Sequence, residues 1–116
     1  MSRLSTHVLD TAHGRPGAGM GFALYRLEGE TRKKLAEGVT TQDGRAPGGL
    51  LEETSYRPGR YQLVYQVAAY FRAQGVSLPE PPFLDEVTLS FGLGQEAHYH
   101  VPLLVSPFGY TTYRGS

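Results

Sequence analysis

His98-Tyr99-His100 sets two imidazoles one residue apart. In an extended strand alternate side chains share a face, so both rings would stand on one side, roughly 7 Å apart along the chain. Imidazole titrates near neutral pH, and a pair on one face suits acid–base work or a divalent metal. A metal needs further ligands. His7 supplies a third only if the first and penultimate strands are neighbours, and no carboxylate obviously completes the set. The plain reading of the pair is a solvated strand face.

Four further places hold groups able to do chemistry. His7 lies in the alternating run Leu4 to Asp10, where Leu4, Thr6 and Val8 share one face and Ser5, His7 and Leu9 the other. Arg45 follows the turn pair Asp43-Gly44, and Arg60 follows Pro58-Gly59. A loop arginine is ordinarily solvated, but a fixed guanidinium can stabilise developing negative charge. The sequence ends Tyr113-Arg114-Gly115-Ser116, after the alternating run Tyr110 to Arg114. A terminal segment is usually the most disposable part of a domain. A strand running to its end would instead place a phenol, a guanidinium, a hydroxyl and a carboxylate in a pocket.

The elements that must position these groups are strands. The 15 glycines and 8 prolines are spread along the chain, and short alternating runs lie between turn signals. The pattern predicts strands over 4–10, 21–27, 33–41, 60–67, 85–91, 97–105 and 110–114, with a short edge strand over 50–54. One short helix is expected over 68–74, stopped at Gly75. Leu78-Pro79-Glu80-Pro81-Pro82 is a stiff loop that no central ladder accommodates. Residues 97–105 and 110–114 should pair as a hairpin across Ser106 to Gly109. Pro102 inside a strand should sit at an edge or bulge, because it lacks a ladder donor. The fold class is all-β, a sandwich or barrel, in a single domain over 1–116.

Composition narrows the function. Eleven basic and eleven acidic residues give zero formal net charge, which argues against nucleic acid or an anionic membrane as the main partner. A near-neutral surface eases self-association. With no cysteine, thiolate catalysis, disulfides and zinc–thiolate sites are excluded. No apolar run approaches the roughly 18 residues of a membrane span, and Met1 to Asp10 lacks a secretory pattern, so a cytoplasmic setting is expected. The glycines at 14, 17, 19 and 21 precede no helix with a phosphate-binding lysine. No Gly-x-Ser-x-Gly elbow occurs.

Two segments resemble the signatures of the transthyretin-like protein family. One is Leu4-Ser5-Thr6-His7-Val8-Leu9-Asp10, followed by Gly14-Arg15-Pro16; the other runs from His98-Tyr99-His100-Val101-Pro102 through Ser106-Pro107-Phe108-Gly109-Tyr110. The ending Tyr113-Arg114-Gly115-Ser116 is similar to that of the branch that hydrolyses 5-hydroxyisourate. The resemblance covers the whole chain in order. It implies a prealbumin-like sandwich of two four-stranded sheets with one short helix. It implies a homotetramer, a dimer of dimers with sites at the dimer–dimer interface. It puts catalysis on His7, Arg45 and His100, and substrate binding on His7, Arg45, Tyr113, Arg114, Gly115 and Ser116, with His98 in a supporting role. No metal and no organic cofactor is required.

The resemblance implies hydrolysis of 5-hydroxyisourate, in urate degradation, to 2-oxo-4-hydroxy-4-carboxy-5-ureidoimidazoline. Opening the ring amide needs an activated water, a proton for the leaving nitrogen and a stabilised oxyanion. Imidazoles suit the first two tasks and an arginine the third. Which histidine is the base stays open. The alternative is a non-enzymatic carrier of small aromatic ligands on the same fold; a second is a metal-binding module using His98 and His100.

Overall fold

The computed structural model describes residues 2–52, 54–94 and 97–115, and only the backbone at Ser2 and Arg3. Two sheets face each other. The first is built on β1 (Ser2–Asp10), which pairs in parallel with β8 (Tyr99–Ser106); β8 in turn pairs antiparallel with β9 (Gly109–Thr112). Two short strands, β2 (Arg15–Pro16) and β5 (Leu51–Glu52), share the other edge of β1, one at each end. The sheet thus has five strands but is four strands wide. The second sheet runs in the order β4 (Thr31–Val39), β3 (Gly21–Glu28), β6 (Gly59–Gln66), β7 (Glu86–Leu93).

Alternation decides what is buried. Leu4, Thr6 and Val8 of β1 and Val101, Leu103 and Val105 of β8 face inward against Phe22 and Leu24 of β3 and Tyr61, Leu63 and Tyr65 of β6. Thr6 crosses the core. Its hydroxyl donates to the Val101 carbonyl at 2.7 Å and lies 2.6 Å from the Tyr65 hydroxyl of the opposite sheet. Burial pushes the Tyr65 phenol up, well beyond its ordinary range.

The helix α1 (Val67–Ala73) continues directly from β6 and buries Val67, Ala68, Tyr70 and Phe71. It closes as expected before Gly75, whose φ of +85° is a conformation glycine adopts without strain. Tyr70 clips α1 to the end of β1, donating to the wholly buried Asp10 carboxylate at 2.7 Å. His13 holds the same carboxylate through its backbone N–H at 3.0 Å and its ring Nδ1 at 2.6 Å.

Several boundaries differ from expectation. The strand expected over 33–41 is Thr31–Val39, and the strand expected to run through Arg114 stops at Thr112. Arg15–Pro16, outside every predicted strand, pairs as β2. Pro102 lies in a central strand, not at an edge, yet where the ladder lapses. The β8–β9 pairing ends at Leu103 with Thr112 and resumes only as an isolated bridge between His100 and Gly115. A residue without an N–H fits that gap.

Candidate functional site

The outward face of the first sheet carries the candidate residues. Parallel register sets Ser5 opposite His100, His7 opposite Pro102, and Leu9 opposite Leu104. These side chains share the face turned away from the core. His7 is thus displaced by two residues from His100's partner, which makes the imidazoles diagonal neighbours about 8 Å apart at the backbone. The adjacency of first and penultimate strands brings together residues more than ninety positions apart in the sequence.

Arg45 arrives on the other side of His7. Between β2 and β5 the edge of β1 is free of regular strand, and the loop after β4 fills it. The Val8 N–H donates to the Gly44 carbonyl at 2.7 Å, His7 and Arg45 form an isolated antiparallel bridge, and the Leu50 N–H donates to the Leu4 carbonyl at 2.9 Å. The loop is folded on itself by Thr41 N–H to the Arg45 carbonyl at 2.8 Å and Gly44 N–H to the Thr41 carbonyl at 2.8 Å. Gly44 has φ +78°, and a Cβ there would strike the Val8 carbonyl oxygen. The Asp43-Gly44 turn therefore presses the loop onto β1 and delivers Arg45 beside His7.

The end of the described chain closes the third side. After β9, the Gly115 N–H donates to the His100 carbonyl at 2.7 Å. Tyr113 stands exposed just before it. Arg114 alternates away and lays its guanidinium over the Tyr99 ring, 4.2 Å from the centroid. Tyr99, Tyr110, Tyr113 and Arg114 line a cleft of about 430 Å³ together with Ser90 and Phe91 of β7. None of His7, Arg45 and His100 lines that cleft. Ser116 lies outside the described residues.

Burial holds His100 below the ordinary imidazole range, and Arg45, His7 and His98 add electrostatic pressure in the same direction. A neutral imidazole that accepts a proton is the outcome. Its Nδ1 lies 2.8 Å from the Ser5 hydroxyl, and His98 Nε2 lies 3.5 Å from the same oxygen. Ser5 has no candidate role in the sequence reading; the only signal was its place on the face of His7. Among the described residues, no three His, Asp or Glu side chains gather as a metal site.

The model of the HIUase/Transthyretin family matches residues 4–115. The chain belongs to that family. A family member from Mesorhizobium japonicum, named 5-hydroxyisourate hydrolase, is 54% identical over 98% of this chain and 92% of its own length. The solved structure of (S)-allantoin synthase superposes with a TM-score of 0.92 at 40% identity over 99% of this chain. This chain spans 44% of that protein's length. Sea bream transthyretin in complex with thyroxine superposes with a TM-score of 0.87 at 28% identity, over 97% of this chain and 94% of its own. The family's all-β, prealbumin-like sandwich is the fold seen here.

Proposed function

We propose that this chain hydrolyses 5-hydroxyisourate to 2-oxo-4-hydroxy-4-carboxy-5-ureidoimidazoline in urate catabolism. The observation that carries the reading is the convergence of His7, Arg45 and His100, from three separate segments, on one outward face. The relative at 54% identity bears the hydrolase name, against 28% for the thyroxine-bound transthyretin. A carrier channel for an aromatic ligand has no need of two imidazoles beside a guanidinium.

Water attacks the ring carbonyl C6 and the N1–C6 bond breaks. His100, kept neutral by burial and by the Arg45 cation, takes the water proton. His7, diagonal to it, gives a proton to the departing N1. Arg45 neutralises the charge that gathers on the carbonyl oxygen. The Tyr113 hydroxyl contacts the ring. Arg114, anchored on Tyr99, and Gly115, bonded to His100, hold the segment after β9 against the site, and Ser116 completes the proposed substrate-binding set. No cofactor enters this chemistry.

The working assembly is a homotetramer, with the histidine faces of two dimers enclosing the sites. Phe108, Tyr110 and Tyr113 are 63%, 45% and 58% exposed on the single chain, and partner copies would cover such aromatic surface. Among the described residues, no helix is long and apolar enough to cross a membrane; the proposed compartment is the cytoplasm. The test is an ultraviolet time course. 5-Hydroxyisourate made in situ from urate with urate oxidase should decay far faster with this protein than alone, and sedimentation should give four copies. Decay at the spontaneous rate by folded protein would leave the carrier reading.

A further inference from the structure

The Ser5 hydroxyl lies between two imidazoles. It stands 2.8 Å from His100 Nδ1 and 3.5 Å from His98 Nε2. This follows from the fold. Ser5 pairs with His100 across the parallel ladder, and His98 precedes His100 by one strand period. His98 is exposed and His100 is half-buried. A path of ring nitrogen, hydroxyl and ring nitrogen therefore leads from solvent to the half-buried imidazole.

A hydroxyl has one proton and can accept another. In one arrangement His100 Nδ1–H donates to Ser5 Oγ, and Ser5 O–H donates to His98 Nε2. His100 Nε2 then carries the free lone pair and is a base. In the opposite arrangement His98 Nε2–H donates to Ser5, Ser5 donates to His100 Nδ1, and His100 Nε2 carries the proton. Contacts of this kind are often long before substrate binds and tighten in the complex.

We propose that Ser5 is a positioning residue that relays protons between His100 and His98, thereby setting which nitrogen of His100 is free to act. The inference rests on the hydrolase reading and on His100 as base. In the step itself, water gives its proton to His100 Nε2 as its oxygen bonds to C6. The Nδ1 proton of His100 passes to Ser5 Oγ, and the Ser5 proton passes to His98 Nε2. His98, then cationic, releases its Nδ1 proton to solvent. The N1–C6 bond breaks with its electron pair on N1, which takes a proton from His7. The charged groups bearing on His100 are Arg45, His7 and His98. Of these, only His98 is joined to it through a hydroxyl.

The experiment measures kcat, KM and the pH profile of Ser5→Ala, Ser5→Thr, His98→Ala, the Ser5→Ala/His98→Ala double variant and His100→Ala, each checked for folding by thermal melting. Ser5→Ala should lower kcat about 10-fold or more with KM nearly unchanged, by the magnitude typical of lost histidine-orienting partners. Ser5→Thr, which keeps the hydroxyl, should restore most of the loss. The double variant should be no slower than Ser5→Ala, since both interrupt one path. Added imidazole should speed His98→Ala and not His100→Ala. Wild-type kcat in Ser5→Ala, equal loss in Ser5→Thr, or additive losses in the double variant would overturn the relay. If His100→Ala is inactive while Ser5→Ala is fully active, the relay alone fails. If His100→Ala is itself fully active, the site reading fails and the relay with it.

Discussion

Gly115 lies against His100 with no room for a side chain. Its N–H donates to the His100 carbonyl at 2.7 Å, and a Cβ built on it would stand 2.7 Å from His100 Cδ2. The contact fixes the ring from the side opposite Ser5, whose hydroxyl meets Nδ1 at 2.8 Å.

Gly115→Ala is therefore expected to displace the His100 ring without unfolding the chain, because Gly115 does not have the positive φ that would strain alanine. Misplacement of a reacting group by about 1 Å can cost on the order of 10²-fold in rate. The expected outcome is a large fall in kcat at an unchanged melting temperature. Wild-type kcat would show that His100 is not held by this contact.

The His100 imidazole should titrate below its ordinary value. Burial first, then Arg45, His7 and His98, lower the His100 pKa from 6.5, so the base stays neutral at neutral pH and is lost only as pH falls below 6.5. Nuclear magnetic resonance titration of the ring protons should place the His100 midpoint below 6.5 in the wild type. In Arg45→Met it should move upward but stay below 6.5, because burial, the larger cause, remains. A wild-type midpoint at or above 6.5 would contradict the electrostatic account.

Much of this arrangement was legible in the sequence. Alternation in Leu4–Asp10 separated inward from outward residues correctly, and Gly75 marked the end of α1. The meeting of His7 with His100 was not legible from alternation, because strand order is a property of the whole topology. It was reachable only through the family resemblance. The Arg45 contact depends on a loop that fills a strandless stretch of the β1 edge, and loops carry no periodicity. Ser5 is a small hydroxyl on a strand, with no pattern to mark it until the register sets it opposite His100. Pro102 was readable as an exception, but which ladder it interrupts was not.

Asp10 should set the acid limit of stability. Burial alone would raise its pKa, but the hydrogen bonds from Tyr70 and His13 outweigh burial and hold it below 3.8. A lowered carboxylate pKa stabilises the fold above the unfolded value of 3.8, and the contribution disappears as pH falls through the lower folded value. Asp10→Ala, which leaves the Tyr70 hydroxyl and His13 without their acceptor, is expected to cost about 2–4 kcal/mol. Urea unfolding at neutral pH and at pH about 3 checks both points. A variant as stable as wild type at neutral pH would contradict this role.

The most direct test of the central claim is the initial rate of 5-hydroxyisourate decay, followed by ultraviolet absorbance, for the wild type and for folded His7→Ala, Arg45→Ala and His100→Ala. The account predicts rapid decay with the wild type and a loss on the order of 10²-fold or more in kcat for each variant. Near-wild-type turnover by folded His100→Ala would contradict it.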